Sequence, residues 1–169
     1  TQHLDQVWLV VTPQNPFKKH LVLSADTHRL AMVRLAVKGN DKLVASGFEI
    51  DMPRPSYTAD SLRFMRHRWP DHVFDLIIGS DNLASLHNWK DPEEILEHHT
   101  ILVYPREGAS GQLDNAVYRD HAKVRIIRDS PMLNVSSTRV RADIGAWKPV
   151  EALVAPDVLR YIRQHRLYH

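Results

Sequence analysis

Cysteine is absent from all 169 residues, which excludes a disulfide scaffold, a thiolate zinc site and a cysteine nucleophile. Long apolar runs are missing too. Nothing approaches the roughly 20 residues that a bilayer-spanning helix needs, so no membrane span is expected. Charge of one sign is scarce: 22 Lys and Arg against 20 Asp and Glu leave a formal net charge of +2. A nucleic-acid surface would need a clustered basic field. The densest basic stretch, Arg63 to Arg68, falls on an amphipathic helix pattern and reads as a solvated face, so no nucleic-acid partner is expected. With only 6 glycines, the chain has no Gly/Ser linker, repeat or low-complexity tract. No apolar signal segment opens it, and with cysteine absent the reading is a cytoplasmic protein.

What is present is an ordinary globular mixture, 43% hydrophobic and 25% charged, spread evenly enough to predict a single domain over residues 1–169. Val7 to Val11 is a short apolar run stopped by Thr12-Pro13, as expected for a parallel strand buried on both faces. Leu30, Val33 and Val37 then recur at helical spacing, with Asp26 in the first turn and Gly39-Asn40 as the stop. Leu43 to Ile50 reads as a second strand ended by Pro53 and Pro55, and Thr58 to Trp69 as a helix. Val73 to Ile78, Thr100 to Val103 and Val124 to Ile127 are further strands. Short helices are expected from Ser80 towards His87, after Asp91-Pro92, from Ser137 to Ile144 and from Pro156 to Gln164. The polar stretch Pro105 to His121 reads as a mobile surface loop. Strands alternating with helices predict an α/β fold, a Rossmann-like, doubly wound parallel sheet in three layers.

Such sheets bind ligands beyond the carboxyl ends of their strands, which makes the segments after each strand the places to look for chemistry. After the first strand, Lys18-Lys19 offers point charges for phosphate. After the second, Ser56-Tyr57-Thr58 opens a helix, where Ser56 or Thr58 either caps it or joins its N–H groups in an anion site. After the third, Gly79-Ser80-Asp81 permits close backbone approach and then presents a carboxylate; Trp89 nearby is either a core anchor or a platform for a flat ring. After the later strands come Arg106 and the run Ser136-Ser137-Thr138-Arg139-Val140-Arg141, where hydroxyls at a helix start precede arginines in its first turns. A cap needs one hydroxyl, and the surplus fits a phosphate. This is not a Walker A loop, because its glycine spacing is missing. His98 and His99 diverge by about 100° on a helix and are not expected to share a metal. Glu49 and Asp51 read as an exposed strand edge rather than a catalytic pair, and no nucleophile elbow appears. No metal-ligating residues are assigned.

Val135-Ser136-Ser137-Thr138-Arg139-Val140-Arg141 resembles the ISSTxxR motif of the HxGH nucleotidyltransferase superfamily. Pro55 to Leu62, Ile78 to Leu83 and Trp89 narrow the resemblance to the bacterial nicotinate-nucleotide adenylyltransferases, and it extends from Val7 to Tyr168. It implies transfer of the adenylyl group of ATP to nicotinate mononucleotide, giving deamido-NAD and pyrophosphate with Mg²⁺ assisting. On that basis Tyr57 and Thr58 would meet the nicotinate carboxylate and Trp89 would stack on the pyridine ring. Gly79 and Asp81 would meet the adenosine, Lys19 and Arg106 the phosphates, and Ser136, Ser137, Thr138 and Arg141 the triphosphate. The family's first strand and its GxFxPxHxGH segment are not among these residues, so no catalytic residue is assigned, and a molecule carrying that segment ahead of Thr1 is the expectation. Two other readings are a pantetheine-phosphate type of adenylyltransferase and a nucleotide-binding fragment without turnover. A homo-oligomer is compatible with all of them.

Overall fold

The computed structural model describes residues 4–13, 24–105, 113–127, 131 and 135–168. They form two compact units, residues 1–56 with 135–169, and residues 57–134. Among the described residues all strand pairing is parallel, in one ladder of two strands and one of three, with helices flanking both. That is the α/β class with parallel strands expected from the apolar segments.

The first unit begins with β1 (Val7–Val10), α1 (Asp26–Val37) and β2 (Leu43–Ser46), a β-α-β crossover in which Val7 faces Leu43 and Val10 faces Ser46. Among the described residues β1 pairs with β2 alone. The side chains of β1 are half-buried and Leu9 is 41% exposed, so the expectation that β1 is buried on both faces is corrected. The turn after α1 places Gly39 at φ +83, where a side chain would be strained. The second strand ends four residues sooner than expected. Gly47 lies under α1, where a Cβ would come within 2.7 Å of Leu30, and Phe48–Asp51 then winds into a 3₁₀ helix. This corrects the reading of Glu49 as an exposed strand edge: it is buried, with 7% exposure, because a strand's alternation no longer applies once the backbone coils. The unit is completed by α5 (Ser137–Gly145) and α6 (Pro156–Gln164). Its core gathers Ile144, Val150, Val158, Leu159 and Ile162, with Met32 and Leu35 of α1 packed against them.

The second unit runs α2 (Thr58–Arg68), β3 (Leu76–Gly79), α3 (Ser80–Ser85), a 3₁₀ turn (Leu86–Asn88), α4 (Pro92–His98), β4 (Ile101–Tyr104) and β5 (Val124–Ile126). β4 lies between β3 and β5, so its Ile101, Leu102 and Val103 are sealed on both faces, at 0–1% exposure. The stripe Ala59, Leu62, Met65 of α2 is buried, at the three-residue spacing of one helix face. His99, just past α4, is buried and bonds through Nδ1 to the Phe74 carbonyl at 2.7 Å. Within the Pro105 to His121 stretch, residues 113–121 form successive turns with Ala116 buried, and the Tyr118 hydroxyl donates to Glu93 at 2.6 Å.

Candidate active site

In the second unit the candidate residues lie at element starts. Tyr57 is the residue before α2 and Thr58 its first helical residue. Neither Ser56 nor Thr58 caps this helix through its side chain: the cap position is held by Tyr57, whose carbonyl accepts from the Ser61 N–H at 3.1 Å and from its hydroxyl at 3.3 Å. Capping is therefore not the role of either hydroxyl. The Ser56 hydroxyl is buried without a hydrogen-bond partner among the described residues. Gly79 closes β3 opposite Tyr104 of β4, at the carboxyl edge of the sheet, and Asp81 follows half-buried in the first turn of α3.

Trp89 follows the 3₁₀ turn, its N–H donating to the Leu86 carbonyl at 2.9 Å. Its ring is half-buried. The next residue ties this segment to the start of α2. Lys90 Nζ donates to both carboxylate oxygens of Asp60 at 2.9 Å and sits 5.1 Å from the centre of the Tyr57 ring, within cation–π range. Sequence reading missed Lys90 and Asp60. They are 30 positions apart, and no local spacing couples them.

The charges around this tie are mutually held. Burial works against the charge of Asp60, but hydrogen bonds and attraction from Lys90 and Arg63 outweigh it and hold its carboxyl below the usual range. The hydrogen bond to Asp60 likewise holds the Lys90 ammonium above its ordinary value. Arg63 also reaches Asp91 at 3.4 Å and pairs with Glu94, and its hydrogen bond keeps the Glu94 carboxyl low. Asp91 holds the cap position of α4 but makes no side-chain cap bond. Within the Arg63 to Arg68 stretch, Arg63 and Arg66 are thus met by acids of α2 and α4, while Arg68 lies over the Trp69 ring.

In the first unit, Ser136 caps α5, its hydroxyl accepting from the Arg139 N–H at 3.2 Å. One hydroxyl suffices for capping, and Ser137 and Thr138 remain exposed in the first turn. The Arg141 guanidinium donates to the Thr138 hydroxyl at 3.4 Å, so these two side chains lie together beside the positive end of the helix. Arg139 turns instead to Asp143, at 3.6 Å. The structure therefore separates the two arginines of the motif, one structural and one beside the hydroxyls. Lys19 and Arg106 lie outside the described residues. Among the described residues no group of three or more His, Asp or Glu is gathered to hold a metal ion.

Comparison with known proteins identifies the class. Residues 1–143 match the cytidylyltransferase-like family, and the chain belongs to that family. Within it, the chain is 42% identical over 98% of its length to a Flavobacterium johnsoniae protein named "Probable nicotinate-nucleotide adenylyltransferase", covering 84% of that protein. A Cytophaga hutchinsonii protein of the same name is 41% identical over 99% of the chain, covering 85% of the relative. The Plasmodium falciparum nicotinic acid mononucleotide adenylyltransferase complexed with NaAD has the same fold, with a TM-score of 0.75 over 98% of this chain and 83% of that one at 18% identity. No helix among the described residues is long and apolar enough to cross a membrane.

Proposed function

We propose that this chain is an adenylyltransferase that joins ATP to nicotinate mononucleotide, releasing pyrophosphate and forming deamido-NAD, a step of NAD biosynthesis. The observation carrying this reading is the relatedness to the Flavobacterium protein along nearly the whole chain, which includes both sets of donors. A phosphate oxygen of the mononucleotide attacks the α-phosphorus of ATP, and the bond to the pyrophosphate oxygen breaks. Such a transfer asks the protein mainly for alignment and for donors to the phosphoryl oxygens.

In this reading the N–H groups and hydroxyl at Thr58 receive the nicotinate carboxylate, Tyr57 shapes that pocket, and Trp89 stacks on the pyridine ring. Gly79 and Asp81 meet the adenosine. Ser136, Ser137, Thr138 and Arg141 hold the triphosphate, with Arg141 and Thr138 already paired for it. Lys19 and Arg106 contact phosphate. Mg²⁺ enters with ATP, neutralising phosphate charge, since magnesium commonly binds through substrate phosphates rather than an all-protein cage. One functional domain spans residues 1–169 and acts in the cytoplasm.

Pyrophosphate release from ATP and Mg²⁺, compared between nicotinate mononucleotide and phosphopantetheine as acceptors, tests the reading. Release with the mononucleotide alone supports it. Release with phosphopantetheine alone overturns the substrate, and binding of both nucleotides by folded protein without release overturns the activity.

A further inference from the structure

The first unit contains a cavity of about 470 Å³, within the usual size of small-molecule sites. Its described lining comes from residues 144–166, past the stretch matched by the family model. Its floor is apolar, made by Ile144, Val150 and Leu159, and its rim carries Lys148, Arg163 and Arg166, with no acid among the described lining residues. Two of those cations are already engaged, Lys148 with Asp143 at 3.7 Å and Arg163 with Glu151 at 2.6 Å. Arg166 has no ion-pair partner among the described residues.

The seventh lining residue is Trp147, which is 82% exposed. It sits at φ 56, and Arg166 at φ 50, in the left-handed region that bulky side chains seldom occupy. A glycine would serve either turn with less strain. Here the turns instead hold a large aromatic ring and an arginine at the mouth of an apolar cavity. An apolar hollow with an aromatic wall and a cation that meets no acid among the described residues complements an apolar ring bearing a negative group.

We propose that this cavity is a second ligand site, separate from the residues assigned to adenylyl transfer, which takes a flat apolar molecule carrying a single anionic group. Trp147 covers the ring, Ile144, Val150 and Leu159 receive its other face, and Arg166 pairs with the anion.

The test uses 1-anilinonaphthalene-8-sulfonate as the anionic probe and N-phenyl-1-naphthylamine as its uncharged counterpart, titrated by fluorescence into the full chain. The expected result is saturable one-to-one binding of the sulfonate, at least tenfold tighter than the neutral amine and undisturbed by excess ATP or nicotinate mononucleotide. Trp147→Gly and Arg166→Gln should each weaken it at least tenfold without lowering the melting temperature; the glycine variant also relieves the left-handed backbone. Equal affinity for both probes, displacement by ATP, or unchanged affinity in both variants would overturn the proposal. So would the absence of sulfonate binding together with a concentration-dependent dimer, seen by sedimentation, that Trp147→Gly dissolves; the cavity would then be a contact between two copies.

Discussion

At Trp89 the question left by the sequence is whether the ring anchors a loop or receives a ligand. The structure leaves the ring half-buried, while the adjacent Lys90 does the tying through Asp60. Stacking on an aromatic ring is worth about 1–3 kcal/mol, so Trp89→Ala should raise the KM for nicotinate mononucleotide roughly tenfold or more. The KM for ATP should stay within about twofold by steady-state pyrophosphate release; equal losses for both substrates would make Trp89 structural. Arg141 makes the converse case. It donates to Thr138 and, among the described residues, to no acid, and a hydrogen bond from a charged donor is worth about 1.5–3 kcal/mol. Arg141→Ala should therefore lower kcat/KM for ATP roughly 10- to 100-fold, while Arg139→Ala, which loses the contact to Asp143, should change it far less. Neither distinction was readable from the motif, where the two arginines differ only by two positions.

At the scale of the element, α4 carries a pH dependence. His99 is buried beside the Phe74 carbonyl, and burial, opposed by that hydrogen bond, lowers the acidity range in which it takes a proton. With the folded value below the unfolded one, its contribution to stability is complete above the unfolded pKa of about 6.5. It is lost as the pH falls below that value, because the unfolded chain binds the proton first. Urea unfolding between pH 8 and pH 5 should show stability falling with acidification, and His99→Gln should have the shallower slope; parallel slopes would remove His99 as a cause. The sequence supplied the Asp91-Pro92 start of α4, and it argued against a shared metal at His98-His99. It carried no sign that one of the pair is sealed, because the partner of His99 is the Phe74 carbonyl, 25 positions away.

At the scale of the molecule, the first unit is assembled from both ends of the chain. α1 and α6 are more than a hundred residues apart, yet His28 Nδ1 and the Tyr161 hydroxyl are 2.9 Å apart. The Ser24 and Tyr168 hydroxyls are 3.0 Å apart. Ile162 is 3% exposed in a core completed by Met32 and Leu35. Truncating such a residue leaves a cavity that neighbours from two segments must both collapse to fill, so Ile162→Ala should cost about 2–5 kcal/mol by urea unfolding. Ile162→Val should cost only about 0.5–1.5 kcal/mol. A loss below 1 kcal/mol for the alanine variant would mean that α6 is not integral to this unit.

The order of strands and helices, their parallel class and the helix starts at Thr58 and Ser137 were determined by the sequence itself. They follow from local rules: apolar runs, helical spacing, prolines and caps act within a few residues. The surplus hydroxyls after Ser136 were equally legible, since a cap consumes only one. The tertiary structure alone decided which side chains are spent on each other. It placed Lys90 on Asp60 and Tyr57, turned Arg139 away from the hydroxyls and kept Arg141 beside them, coiled Glu49 into the interior, and left Leu9 of β1 exposed. Burial and ion pairing arise between segments brought together by packing, and their partners lie too far along the chain for any local pattern to specify.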